Sequence, residues 1–217
     1  RLLQNDYTAE QISHIEAAAI NETPLDLTVK NNPEFWAEKL NGTLLPNGTV
    51  RLESTGKIEN LSGYKEGSWW VQDFSASLAA MALSKPQNKN ILDLCAAPGG
   101  KTAQLLVASA QVTSLDISED RLKTLSENIR RLQLQTPRIL CADALDYLEN
   151  TTDAYDAVLL DAPCSATGTL RRHPEIVHIK KAADIQKMAA LQKQILEKIS
   201  KIIKTGGELV YCTCSIA

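Results

Sequence analysis

Two cysteine-bearing segments are the most reactive features of the sequence: Asp161-Ala162-Pro163-Cys164-Ser165-Ala166-Thr167-Gly168 and Tyr211-Cys212-Thr213-Cys214-Ser215. Each follows an apolar run of strand type, Ala157–Asp161 in one case and Glu208–Cys212 in the other. Thiols placed at the ends of two strands can face one pocket. There a thiolate can act as a nucleophile, dividing one difficult substitution into two easier steps. Asp161 precedes Cys164 closely enough to hold a substrate's polar edge and to favour its protonation during attack. From chemistry alone either Cys164 or Cys214 can be the attacking group.

A third segment, Asp93-Leu94-Cys95-Ala96-Ala97-Pro98-Gly99-Gly100-Lys101-Thr102, follows the apolar run Ile91–Leu94. Its small residues and two glycines let a ligand approach the backbone closely at the start of a helix. A Walker A loop would need glycine at position 95, which is Cys95, and the Gly-x-Gly-x-x-Gly dinucleotide pattern is absent. Carboxylates recur where later strands end: Asp116 after Val112, Asp143 after Arg138–Cys141, and Asp161. Asp116 is placed to accept ribose hydroxyls. Any one of the three can simply cap the next helix. Together with the glycine turn they suit an adenosine that carries a cationic sulfonium and suit a polyphosphate badly.

The elements that must position these groups follow from periodicity. Residues 1–20 carry Ile12, Ile15, Ala19 and Ile20 at helical spacing. Pro24–Val29 alternates as a half-buried strand does, a short helix is expected over Pro33–Leu40, and glycine-punctuated short strands such as Thr49–Glu53 follow. From residue 70 the pattern becomes strand, helix, strand. Helices are expected at Ser75–Ser84 and Lys101–Ser109, then in a segment opened by Ser118 with Leu122, Leu125, Ile129 and Leu132 on one face. A long helix over 183–204 is expected to stop at Gly206-Gly207. Alternating strands and helices predict a doubly wound, Rossmann-like α/β sheet at 70–217, binding its ligand at the carboxyl ends of the strands. Residues 1–69 are expected to form a helical and small α+β region.

Composition narrows the setting. The chain has 217 residues, 44% hydrophobic and 23% charged, which suits a globular protein with one large domain and an appendage. No apolar stretch approaches the roughly 18–20 residues needed to cross a bilayer, and no secretory leader pattern opens the chain, which begins at Arg1. A formal charge of −3 argues against coating nucleic acid by charge alone, yet allows a local basic groove. Five cysteines with no small-domain disulfide framework favour a reducing compartment, and the cytoplasm is expected. Cys141 is expected to be strand packing, and Cys212 to face away from Cys214. A zinc site from Cys164, Cys212, Cys214 and His173 lacks any Cys-x-x-Cys pair, so no metal is expected. His14 and His178 are expected at the surface.

Residues 93–102, 161–168, Arg171-Arg172-His173-Pro174-Glu175 and Thr213-Cys214-Ser215 together resemble the RNA 5-methylcytosine methyltransferases, and among them the bacterial small-subunit ribosomal RNA enzymes of the Sun/Fmu type. The resemblance runs from Pro24 to the end and includes Gly67-Ser68-Trp69-Trp70-Val71-Gln72-Asp73. It implies methylation of cytosine carbon 5 with S-adenosyl-L-methionine as cofactor and RNA, most fittingly 16S ribosomal RNA, as substrate. In such enzymes a thiolate adds to carbon 6 and makes carbon 5 nucleophilic.

Residue by residue, the resemblance implies that Cys95, Ala96, Ala97, Pro98, Gly99, Gly100 and Lys101 wrap the methionine part of the cofactor. Asp116 would bind the ribose, Asp143 would sit near the adenine, and Asp161 would lie between cofactor and base. Cys214 would be the nucleophile and Cys164 would assist product release. Arg171 and Arg172, in a loop beside that pocket, are expected to contact RNA phosphates, and a monomer is expected. Family members continue into further strands after the nucleophile and carry an RNA-binding domain similar to the antitermination factor NusB. The catalytic domain is therefore expected to be truncated at its C-terminus. Two rivals remain: a nucleotide hydrolase, and an inactive RNA-binding or assembly protein that keeps the fold.

Overall fold

The computed structural model describes residues 3–4, 6–21, 23–53 and 56–216, with Val177 described by its backbone alone. Two sheets organise the chain. The first is antiparallel, in the order β2-β3-β1-β4, from Leu25–Val29 (β1), Thr43–Leu44 (β2), Val50–Leu52 (β3) and Trp69–Val71 (β4). Pro33–Lys39 (α2) starts with proline at its first turn, where the missing N–H costs nothing. It packs Trp36 and Ala37 with Leu27, Val50, Leu52 and Trp69 into a small core.

Preceding this sheet, Ala9–Ile20 (α1) forms as its periodicity predicts, but buries no residue, and Ile20 is 85% exposed. The alternation in β1 is also not that of a half-buried strand. Asp26 is buried, accepting a bidentate pair of hydrogen bonds from Arg51 at 2.7 and 2.8 Å and one from Phe74 N at 2.9 Å. It thereby caps Phe74–Met81 (α3) from a different strand. Burial works against its charge, but the Arg51 guanidinium and the Phe74 amide hold its carboxyl below the usual range.

The second sheet is fully parallel, in the order β7-β6-β5-β8-β9: Asn90–Leu94 (β5), Gln111–Asp116 (β6), Arg138–Cys141 (β7), Tyr155–Asp161 (β8) and Ile203–Cys212 (β9). This is the doubly wound arrangement expected from the alternation of elements. Gly100–Val107 (α4), Glu119–Arg131 (α5) and α3 cover one face, and Ala144–Asn150 (α6) and Ala182–Ile199 (α8) the other. Ser118 caps α5 as predicted, and Leu122, Leu125, Ile129 and Leu132 are all buried. Ile176–Ile179 (α7) is a single turn in the long crossover from β8.

One boundary differs from expectation. Helix α8 ends at Ile199, and Gly206-Gly207 lie inside β9 rather than stopping the helix. Buried Ile202, in the turn after α8, and Ile203, the first residue of β9, both pack into the core shared with α6 and α8. The glycines then absorb a register shift in which the partner of β8 advances from Ile203 to Glu208.

The small sheet is fixed to the C-terminal end of α5. Lys30 Nζ donates to Leu132 O at 2.7 Å, and Arg131 Nη1 donates to Tyr64 O at 2.8 Å and Trp69 O at 3.2 Å. Gly67 makes this approach possible. Its φ is +65°, and a Cβ there would lie 2.1 Å from Arg131 O. Gly67→Ala should therefore destabilise the fold by roughly 1–3 kcal/mol, from overpacking against backbone and a strained φ. Gly56→Ala, with nothing within 4 Å, should stay within about 0.5 kcal/mol of wild type. Equal melting temperatures for the two variants would show that the contact carries no strain.

Candidate active site

The site lies where β5, β6, β8 and β9 end. Pairing of Leu94 with Leu160 and of Asp161 with Cys212 brings the turn after β5 and the segments after β8 and β9 to one rim. Gly168 N donates to Cys214 O at 2.9 Å, and the Ser215 hydroxyl is hydrogen bonded to that of Ser165, so the two cysteine segments are laced together. The result places Cys164 Sγ 3.3 Å from Cys214 Sγ.

That contact and the local surroundings sort four of the thiols electrostatically. The hydrogen bond from Cys214 holds Cys164 well below the ordinary thiol range, outweighing burial. The same bond, with burial and the charge on Cys164, holds the Cys214 proton far above it. Burial and the nearby Asp116 push Cys95 up to about 12, and burial and Asp161 push Cys212 up to about 12. The pair therefore shares one proton and one negative charge near neutrality, while Cys95 and Cys212 stay protonated and unreactive.

Cys212 does not face away from the pair. Its Sγ lies 3.6 Å from Asp161 Oδ1, its cross-strand partner, and it lines the same cavity as Cys214. Cys141 is not packed in the core either: it is exposed on β7, an edge strand of the sheet.

The carboxylates divide by role. Asp116 is buried; its carboxylate accepts hydrogen bonds from Ala97 N at 3.2 Å and Ser118 N at 3.0 Å, and meets Arg121 at 3.3 Å. Asp143 caps α6, accepting from Leu145 N at 2.8 Å and Asp146 N at 3.2 Å. Asp161 is paired with Lys101 at 2.7 Å. Burial opposes the charge on Lys101, but Asp161 more than offsets it and raises the amine above its usual range.

A cavity of about 330 Å³ collects Cys95, Asp116, Asp143, Asp161, Cys164 and Cys214. Ala96, Ala97, Pro98, Gly99, Gly100 and Lys101 line a neighbouring cavity of about 550 Å³, which also reaches Asp161. A third, of about 280 Å³, joins Lys101, Asp161 and Cys214 to Arg172 and Asp73. Arg172 is ion-paired with Asp73 at 2.6 Å, and Arg171 is exposed in the same loop.

Two residues of the site have no role assigned by the sequence. Arg121 bridges Asp116 and the carbonyl of Ala97, clamping the turn after β5. Asp93 is wholly buried, accepts from the Thr102 hydroxyl at 2.6 Å, and leaves Oδ1 without a partner. Burial pushes its carboxyl up to about 7. A lone aspartate within the run Ile91–Leu94 was the available signal for it.

The donor set fits an adenosyl sulfonium. Buried Asp116 and the cap carboxylate Asp143 line the first cavity, and the small residues of the turn from Ala96 to Gly100 line the second. Fold and cleft together are those of the S-adenosylmethionine-dependent methyltransferases.

Within that class, residues 80–217 match the family model described as 16S rRNA methyltransferase RsmB/F, and the chain belongs to this family. It is 46% identical over 169 residues to ribosomal RNA small subunit methyltransferase B of Vibrio cholerae, covering 76% of this chain and 38% of that protein. It is 38% identical over 231 residues to the protein of that name from Vibrio vulnificus, covering 100% of this chain and 53% of the relative. The chain thus spans about half the length, or less, of these relatives.

Among solved structures, a methyltransferase homolog protein from Pyrococcus horikoshii is 25% identical, with a TM-score of 0.83 over 100% of this chain and 76% of that one. NSun6 from Pyrococcus horikoshii, solved with SFG, is 29% identical, with a TM-score of 0.68 over 77% of this chain and 45% of that one.

The shared proton makes a testable statement about pH. One thiol of the pair should react with iodoacetamide at pH values about one unit or more below the ordinary thiol midpoint of about 8.5. In Cys164→Ala the accepting thiolate is gone while burial and Asp161 remain. Alkylation of Cys214 should then move up to or above that midpoint. An unchanged pH profile would show that the two thiols titrate independently.

Proposed function

We propose that this chain is the catalytic part of an RNA cytosine-5 methyltransferase, acting on 16S ribosomal RNA in the bacterial cytoplasm as a monomer. The thiol pair at 3.3 Å carries this reading, because both sulfurs open onto a cavity shared with Asp161, whose carboxylate is paired with Lys101. Family membership supports ribosomal RNA as the substrate class. A flipped-out base is the form in which an enzyme of this kind can reach its target.

Asp116 would hold the ribose of the cofactor, Asp143 would lie near the adenine, and the turn from Cys95 to Lys101 would hold the methionine part. Arg121, clamped across the same turn, would keep Asp116 oriented. When bound, S-adenosylmethionine supplies an electrophilic methyl group to carbon 5 of the base.

The protein's own groups prepare that carbon. Cys214 gives its proton to its neighbour Cys164, and the Cys214 thiolate forms the bond to carbon 6. Asp161 holds the polar edge of the ring while nitrogen 3 takes a proton from solvent, so the electron pair of the broken double bond is stabilised as an enamine. Lys101, bonded to Asp161, holds that carboxylate in place. Loss of the carbon 5 proton to solvent restores the ring double bond and expels Cys214 as its thiolate, which recovers the pair's shared proton from Cys164, and in this way Cys164 assists release. Arg171 and Arg172 would contact phosphates of the RNA beside the base cavity.

An RNA carrying 5-fluorocytosine, which lacks the proton whose removal frees the enzyme, should form a covalent adduct in the presence of S-adenosylmethionine. Cys214→Ala should abolish the adduct and methylation. Cys164→Ala should still form an adduct on ordinary RNA, more slowly because Cys214 must give its proton to solvent, and the adduct should persist on denaturing gels because release is slowed. The reverse pattern would assign the nucleophile to Cys164; an effect of neither substitution would reject covalent catalysis by this pair.

Replacing Arg171 and Arg172 together with alanine should weaken RNA binding and reduce the salt slope by about one to two, leaving cofactor affinity unchanged. An unchanged slope in filter binding across salt would show that neither arginine meets phosphate.

A further inference from the structure

We propose that Cys164 and Cys214 form an oxidation site: a peroxide closes them into an intramolecular disulfide, and that closure switches the site off. The bond itself needs only the observed geometry. The proposed consequence rests on the reading of Cys214 as nucleophile.

The two sulfurs lie 3.3 Å apart although their residues are 50 apart in sequence. A disulfide needs about 2.05 Å between sulfurs, so side-chain rotation must close only about 1.3 Å. The backbones on either side are already held together, by Gly168 N to Cys214 O at 2.9 Å and by Ile216 N to Thr167 Oγ1 at 3.0 Å. Little chain entropy is therefore lost when the bond forms.

Access is open from several sides. Cys214 is exposed and Cys164 half-buried. Both line the cavity of about 330 Å³, while Cys164 also borders one of about 490 Å³ and Cys214 one of about 280 Å³. A molecule as small as hydrogen peroxide can reach either sulfur.

The chemistry balances without further reagents. The thiolate of the pair attacks one peroxide oxygen; the O–O bond breaks, leaving a sulfenic acid on the protein and hydroxide in solution. The neighbouring thiol then attacks the sulfenic sulfur, loses its proton, and displaces hydroxide, so the S–S bond forms and water leaves. Two thiols are oxidised and one peroxide is reduced to water. The hydrogen bond that holds Cys164 below the ordinary thiol range supplies the attacking thiolate, and the 3.3 Å contact supplies the second thiol at once. Rivals are poorly placed: Cys95 and Cys212 are pushed up to about 12, and Cys141 is exposed at the far edge strand of the sheet.

The test treats the chain, and a Cys141→Ser form that excludes cross-linking between molecules, with hydrogen peroxide. The expected product is about 2 Da lighter, carries one linked peptide pair joining Cys164 to Cys214, and has two fewer alkylatable cysteines than the five of the reduced chain. Dithiothreitol should reverse all three changes. Cys214→Ser should gain oxygen at Cys164 instead of losing mass, and Cys164→Ser, left without the lowered thiolate, should oxidise much more slowly at Cys214 and form no linkage.

A disulfide through Cys212, or oxygen addition at Cys164 in the unsubstituted chain with no linkage, overturns the proposal. The fluorocytosine adduct separates the two layers of the inference. Loss of trapping on oxidation, restored by dithiothreitol, supports the switch, whereas a linked protein that still traps RNA overturns it. A linked protein whose reduced form also fails to trap upholds the disulfide and removes the nucleophile reading beneath it.

Discussion

The position of β8 between β5 and β9 is the constraint on which the site depends. Parallel strands share a direction, so their carboxyl ends fall on one rim, and each residue beyond them is delivered to the same side of the sheet. Asp161 opposite Cys212 sets the register from which Cys164 and Cys214 emerge. A slip of one residue would carry the apolar side chains of β8 to the wrong face and separate the two sulfurs. The wholly buried run from Ala157 to Leu160, with core on both sides, makes that slip costly.

Around that rim, charge is distributed by neighbours more than by residue type. Lys101 pairs with Asp161, Arg121 with Asp116 and Arg172 with Asp73. Each cation draws a carboxylate into a fixed orientation beside a cavity. The thiols are graded in the same way: those next to a carboxylate or deep in the sheet keep their protons, and those that meet each other release one. Selectivity among five cysteines thus needs no special residue, only unequal surroundings.

Most of this was legible in the sequence, for identifiable reasons. The apolar runs of β5, β6 and β8 are short and bounded by turn residues, and Leu122, Leu125 and Ile129 repeat at helical spacing, so local pattern and tertiary structure agree. The end of α8 was not legible, since Ile199, Ile202 and Ile203 continue a helical rhythm that the sheet interrupts. Nor was the burial of Asp26, which depends on an arginine on β3 and on the start of α3, neither of them adjacent in sequence. The 3.3 Å contact between Cys164 and Cys214 depends equally on long-range register. Spacing could place both thiols near one pocket but could not tell that they touch.

Asp93 ties the fold to the proton concentration. In the unfolded chain its carboxyl has an ordinary midpoint near 3.9, whereas burial in β5 pushes it up to about 7. Between those values the folded chain holds a proton that the unfolded chain has lost, so folding is accompanied by proton uptake. The contribution of this group is therefore fully present below about 4 and declines, by roughly 1.4 kcal/mol per pH unit at most, as pH rises towards 7. The same side chain anchors Thr102 in the first turn of α4, so this proton-linked contribution falls on the strand that presents the cofactor turn.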